Sequence, residues 1–174
     1  MDNFTELKQV RQVKTATTVL RIIIVLLCGI LLGMLFVAWF SPPAKAQDIA
    51  IGDSIALGTG HALGVPTNAR ARASSCWVLH HVTNNSYRYV VVSAGINDAP
   101  GPCVRTLFAR IKATRVVVIL PAAINSARAN VAHAAQDYGY LTISYACRGG
   151  CSKRNFHPGS YAVLAGGVRK LWTQ

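Results

Sequence analysis

Residues 88–95 read RYVVVSAG, three consecutive valines followed by small residues and a glycine. An unbroken run of β-branched residues suits a strand buried on both faces, as parallel strands are. The same signature returns at 115–121 (RVVVILP) and, more weakly, at 48–51 (DIAI) and 140–146 (YLTISYA). Between these runs lie SSCWVLHHVTNN (74–85), PCVRTLFARIKA (102–113) and NSARANVAHAAQDYG (125–139). Each is long enough for a helix, and each opens on Ser, Pro or Asn, residues favoured at helix starts. The glycine-rich stretch behind DIAI reads as a loop, a short extra strand fits TNARA (67–71), and GSYAVLAGGVRKLW (159–172) closes the chain with a helix. Strands alternating with helices predict the α/β class. The expected architecture is a small flavodoxin-like three-layer α/β/α sandwich whose parallel sheet has four to five strands, preceded by an N-terminal transmembrane or signal helix.

That preceding segment spans Ile22 to Phe40, 19 residues without a charge. As a helix it would measure about 28 Å, close to the ~30 Å hydrocarbon core of a bilayer. Lys8, Arg11, Lys14 and Arg21 stand before it, and a positive flank normally stays in the cytoplasm. Residues 1–21 are therefore read as a basic cytoplasmic segment, 22–40 as a transmembrane or signal-anchor helix, 41–47 as a linker and 48–174 as the exported domain. Ala44, Lys45 and Ala46 have the small-x-small form of a signal-peptidase site. The sequence leaves open an anchored protein facing the periplasm and a periplasmic or secreted one cleaved after Ala46.

The exported part carries 13 Lys and Arg against four aspartates and no glutamate, a formal +9. Such a surface attracts polyanions. The cations are scattered and no nucleic-acid motif accompanies them, so nucleic acid is not expected as a partner. Cys28 falls within the apolar segment and reads as a small hydrophobe. Cys76, Cys103, Cys147 and Cys151 form an even set in an exported domain and are disulfide candidates with three possible pairings. The set lacks the paired C-x-x-C knuckles of a zinc site, and no metal or cofactor is expected.

In open parallel sheets, ligands bind beyond the carboxyl ends of the strands. The first strand is followed by Gly52, Asp53 and Ser54, and the RYVVVSAG strand by Ile96, Asn97 and Asp98. The last leads into a loop that carries His157 and Pro158. A serine, an asparagine and a histidine on one sheet edge match the needs of acyl transfer: a nucleophile, a base for its proton, and a donor for the oxyanion.

With those residues in hand, the chain resembles the SGNH, or GDSL-like, hydrolase family. IAIGDSIALG (49–58) looks like the family's first block, VVVSAGIND (90–98) like its third and FHPGSYAVLA (156–165) like its last, in the family's order and over essentially the whole exported domain. The resemblance implies Ser54 as nucleophile, His157 as base and Asn97 as a side-chain oxyanion donor. The stretch around Ser54 is not a G-x-S-x-G elbow, because Ala56 stands at the second glycine position.

Two departures stand out. The family usually has an aspartate three residues before the histidine; here that position is Arg154, Asn155 follows it, and no acid lies between Asp137 and residue 174. Losing the triad acid can cost about 10⁴ in turnover. The expected repair is a Ser54–His157 dyad whose imidazole is oriented by a backbone carbonyl, by Ser152 or by water, with a disulfide at Cys147 or Cys151 holding the loop. The second departure is the block that normally supplies a glycine N–H to the oxyanion hole, where Arg72 takes the glycine's place. A backbone N–H survives that exchange, and Arg72, Lys153 and Arg154 would attract an anionic substrate. Asp53 is expected to serve the turn and Asp98 to brace its loop, while Tyr161 is expected to pack the last helix.

These readings give an exported serine esterase acting on short-acyl esters, O-acetyl groups on an anionic envelope glycan among them. The competing reading is an SGNH-fold module that binds such a glycan or a partner protein without turnover. A third, a thiol or metal enzyme, would require the cysteines to be free or metal-bound. Nothing in the sequence specifies an oligomeric state.

Overall fold

The structure, a computed structural model, describes residues 23–31, 46–152 and 155–174. It divides into two units, Met1–Lys45 and Ala46–Gln174. In the first, residues 23–31 are helical and exposed, Cys28 among them. No helix among the described residues is long and apolar enough to cross a membrane. Most of the expected span, 22 and 32–40, lies outside the described residues, as do the basic segment 1–21 and the linker up to Lys45.

In the second unit, β1 (Ile49–Gly52), β2 (Thr67–Ala69), β3 (Ser86–Ser93), β4 (Lys112–Ile119) and β5 (Leu141–Ile143) form one sheet in the order β2-β1-β3-β4-β5. Every pairing is parallel. The helices are α1 (Ser54–Leu63), α2 (Ser75–His81), α3 (Val104–Arg110), α4 (Asn125–Asp137) and α5 (Tyr161–Thr173). This α/β arrangement, with layers on both faces of the sheet, is consistent with a flavodoxin-like sandwich.

The valine runs explain the layering. Val90 and Val92 of β3 and Val116 and Val118 of β4 join a core with Val78, Leu107, Phe108 and Val131 from α2, α3 and α4. The alternate residues Val91 and Val117 face the other way, into a core with Ile55 of α1 and Leu164, Val168 and Trp172 of α5. Full burial of such a side chain contributes roughly 1.5–3 kcal/mol. The amino-terminal halves of β3 and β4 alternate between exposed and covered positions, and only the carboxyl halves are buried throughout. The sheet is therefore best packed where the chain leaves it for the loops of the site.

One element departs from the sequence reading. The glycine-rich stretch behind β1 is not a loop but the ten-residue helix α1. Glycine weakens a helix by about 1 kcal/mol relative to alanine, but packing overrides that here. A Cβ at Gly60 would lie 2.6 Å from Ala50 Cβ, and one at Gly58 would lie 2.5 Å from the Tyr161 ring. The glycines let α1 sit tightly between the sheet and α5.

Candidate functional site

The strand order turns back between β1 and β3, β2 lying on one side of β1 and the other strands beyond β3. That switch point is where an open α/β sheet leaves a crevice at its carboxyl edge. Gly52 and Ser93 pair there as the last residues of their strands. Gly52 has φ +141°, and a Cβ on it would stand 1.9 Å from the Ser93 carbonyl oxygen, so no other residue fits.

Asp53 and Ser54 follow. Asp53 is the N-cap of α1: its Oδ1 accepts from Ile55 N–H at 2.9 Å and from Ala56 N–H at 3.5 Å. Ser54 is thus free of the capping role open to it in the sequence, and stands half-buried as the first residue of the helix. The Leu57 N–H reaches the Asp53 carbonyl at 3.0 Å, whereas the Ser54 N–H has no partner among the described residues. The serine side chain and an unoccupied backbone donor stand together at a helix N-terminus, where developing negative charge is favoured.

Asp53 itself is fully buried, and its second oxygen, Oδ2, has no hydrogen-bond partner among the described residues. Burial pushes its pKa up to about 6, opposed by the N–H groups of Ile55 and Ala56 and by the nearby Ser93 hydroxyl, which stops short of a hydrogen bond to Oδ2.

Two further loops are tied to this turn. Arg70 N–H donates to the Gly52 carbonyl at 3.0 Å, and Ala73 N–H to the Arg70 carbonyl at 3.2 Å, closing a turn with Arg72 at its third position. Arg72 has φ +61° and is the one non-glycine residue with positive φ among those described. This is the glycine slot of a type II turn. Its N–H is unpartnered among the described residues. Asn97, exposed after β3, donates from Nδ2 to the Ala73 carbonyl at 3.0 Å, which leaves the second amide hydrogen available. Asp98 accepts from Ser75 N–H at 2.9 Å and Ser75 Oγ at 2.6 Å. The Cys76–Cys103 disulfide clamps the same junction. Arg70, Arg72, Ser74 and Trp77 line a hollow of about 330 Å³ beside the turn, with the Arg70 guanidinium 5.7 Å from the centre of the Trp77 ring. Larger hollows of about 410 and 490 Å³ lie at the amino ends of β4 and β5 and along β5 and α5. Neither includes a residue of the Ser54 turn, so volume alone does not mark this site.

His157 arrives on a separate loop after β5. Its base is closed by an antiparallel bridge between Cys147 and Pro158, by Gly159 N–H on the Ala146 carbonyl at 2.9 Å, and by Tyr145 Oη on the Phe156 carbonyl at 2.6 Å. The second disulfide, Cys147–Cys151, closes CRGGC on itself. Asn155 donates from Nδ2 to the carbonyls of Arg148 at 2.6 Å and Gly150 at 2.9 Å, and its own N–H reaches Ser152 Oγ at 3.1 Å. Arg154 and Lys153 lie outside the described residues.

The His157 ring stacks on Phe156, and its Nδ1 lies 2.8 Å from Tyr161 Oη. Of the groups expected to hold the imidazole, Ser152 is engaged with Asn155, and the observed partner is a phenol. Tyr161 also lies against Gly58, and Gly58 is one helical turn, about 6 Å, from Ser54. His157 is thereby tied to the helix that Ser54 begins. The contact with His157 is additional to the packing expected of Tyr161; its signal is a tyrosine four positions after the histidine, with the helix-capping Ser160 between them.

His61, His80, His81 and His133 are exposed. Asp137 ends α4 and pairs with Arg105 at 2.5 Å. Both disulfides draw on the four domain cysteines, which leaves none of them as a thiolate for metal or nucleophilic chemistry. No family model matches the chain, and no curated protein or solved structure matches it.

Proposed function

We propose that the protein is an SGNH-like serine ester hydrolase of an oxidising, extracytoplasmic compartment. The observation that carries this reading is the meeting of three loops at the β1/β3 switch point. Ser54 begins a helix with its N–H free, Arg72 holds a left-handed turn hydrogen-bonded to that strand end, and Asn97 is tied to the same turn. In this mechanism Ser54 Oγ attacks the ester carbonyl while His157 Nε2 takes its proton. The N–H groups of Ser54 and Arg72 and the free amide hydrogen of Asn97 receive the oxyanion. The imidazolium returns the proton to the departing alkoxide, and water attacking the acyl-enzyme repeats the sequence.

The substrate proposed is a short-acyl ester, with O-acetyl groups on an anionic envelope glycan the leading example. The exposed Arg70 and Arg72 beside the 330 Å³ hollow support an anionic chain on that flank. The N-terminal apolar segment would hold the domain at the membrane, and two disulfides support an oxidising compartment. One observation favours the rival reading, a binding module without turnover: His157 Nδ1 meets a phenol, not a carboxylate. The two readings separate on treating the full chain with a fluorophosphonate and mapping the adduct by mass spectrometry. The esterase forms a single adduct on Ser54 that is abolished by His157→Ala. An unmodified Ser54 in folded protein would support the binding module.

A further inference from the structure

The geometry points to Tyr161 as the positioning residue that stands in for the missing triad acid, its Oη accepting from His157 Nδ1–H so that Nε2 is left unprotonated toward Ser54. This inference rests on the esterase reading of Ser54 and His157. A histidine can act as base at Nε2 only in the tautomer that carries its proton on Nδ1, and the partner of Nδ1 selects that tautomer. In the family that partner is expected at the position of Arg154; here the 2.8 Å contact is made from the opposite side in sequence, four residues after the histidine.

Tyr161 is suited to the task because two independent features fix it and a third fixes its partner. Its ring lies against the bare Cα of Gly58, where a methyl group would come within 2.5 Å of Cε1. It is the first residue of α5, whose start is set by Ser160 Oγ accepting from Val163 N–H at 3.3 Å. The imidazole it meets is held from its other side by the stacked ring of Phe156, 4.8 Å away.

The direction of the hydrogen bond follows from the surroundings of the phenol. Burial, and then the Asp53 carboxylate, push the Tyr161 pKa up, so the phenol is neutral and keeps its hydrogen. With its hydrogen turned toward the Asp53 carboxylate, whose Oδ2 has no partner among the described residues, the phenol would present an oxygen lone pair to Nδ1–H. A neutral phenol orients the ring without adding charge. When His157 takes the Ser54 proton at Nε2, both ring nitrogens carry hydrogen and the Nδ1–H···Oη bond strengthens as a charge-assisted one. No proton leaves Tyr161 at any step.

The experiment is ¹⁵N–¹H NMR of the full chain labelled with ¹⁵N-histidine, with His157→Ala identifying the resonance, alongside Tyr161→Phe, which removes only the oxygen. The expected result is a neutral His157 held as the Nδ1–H tautomer in the native protein and released to a tautomer mixture in Tyr161→Phe. In steady-state hydrolysis, Tyr161→Phe should lower kcat about tenfold with KM unchanged, the loss of one hydrogen bond's worth of orientation. An Nε2–H tautomer in the native protein, or an unchanged tautomer in Tyr161→Phe, overturns the proposal. The tautomer is read without turnover, so a chain whose Ser54 proves inert defeats the esterase reading while the spectrum still decides the role of Tyr161.

Discussion

The turn that carries Ser54 and the loop that carries His157 are built in opposite ways. The first is four residues of sheet running straight into a helix, with Gly52 pressed on Ser93 and Asp53 wholly buried. The second runs from Ser144 to Ser160, its described residues mostly exposed and held by hydrogen bonds to their own backbone and a disulfide between residues four apart. Ser54 is thus positioned by the core of the domain, and His157 by a local scaffold with one long reach, through Tyr161, onto α1. Damage to the first should cost the fold, and damage to the second should cost mainly the activity.

Gly52→Ala tests the first half most severely. Its Cβ would meet a backbone carbonyl that β-pairing prevents from moving, and φ +141° is closed to alanine. A loss of more than about 4 kcal/mol is expected in urea unfolding, enough to leave the domain largely unfolded.

The disulfides sharpen the comparison. Loop-closure entropy gives about 3.5 kcal/mol for the bond joining Cys76 and Cys103, 27 residues apart, and about 2 kcal/mol for Cys147 and Cys151, four apart. Replacing the first pair by alanine should lower global stability by that larger amount, whereas replacing the second should lower it by the smaller amount and reduce hydrolysis through the freed His157 loop. Equal shifts of the main transition would remove the distinction between the two regions.

Asp53 gives a pH signature of the buried turn. Its folded pKa of about 6 lies above the value of 3.8 for an unperturbed aspartate. The native state therefore holds the proton more tightly than the unfolded chain, and stability falls as pH rises from 3.8 to about 6, then stays low. The full difference is about 3 kcal/mol. Asp53→Asn keeps the capping oxygen and removes the titration, so its stability relative to wild type should be about 3 kcal/mol more favourable at pH 8 than at pH 3.5. Unfolding at the two pH values checks this, since the other titrating groups are common to both proteins.

The strands were readable because burial on both faces leaves an uninterrupted valine signature, and their parallel arrangement followed from alternation with helices. Their ends shifted: β3 and β4 begin at Ser86 and Lys112, earlier than the valines suggest, because polar residues in their amino halves still pair although their side chains face water. The helix α1 was not legible, since what makes it stable is the contact of Gly58 and Gly60 with Tyr161, Ala50 and Thr67, residues distant in sequence. Ser54, Arg72, Asn97 and His157 stand out in the sequence as candidates, by their places after strands and by the family resemblance. The contact of Tyr161 with His157 does not, because a tyrosine at a helix start usually packs, and this contact appears only once the loop folds back. The pairing of the cysteines was likewise open until α2 and the start of α3 were seen side by side.

The most direct test is hydrolysis of p-nitrophenyl acetate by the full oxidised chain, compared with Ser54→Ala and His157→Ala. A working dyad predicts that both substitutions reduce kcat/KM by about 10³ or more while the unfolding midpoint stays unchanged. A native chain no faster than folded Ser54→Ala would contradict the account, and would leave the β1/β3 crevice as a binding site without chemistry.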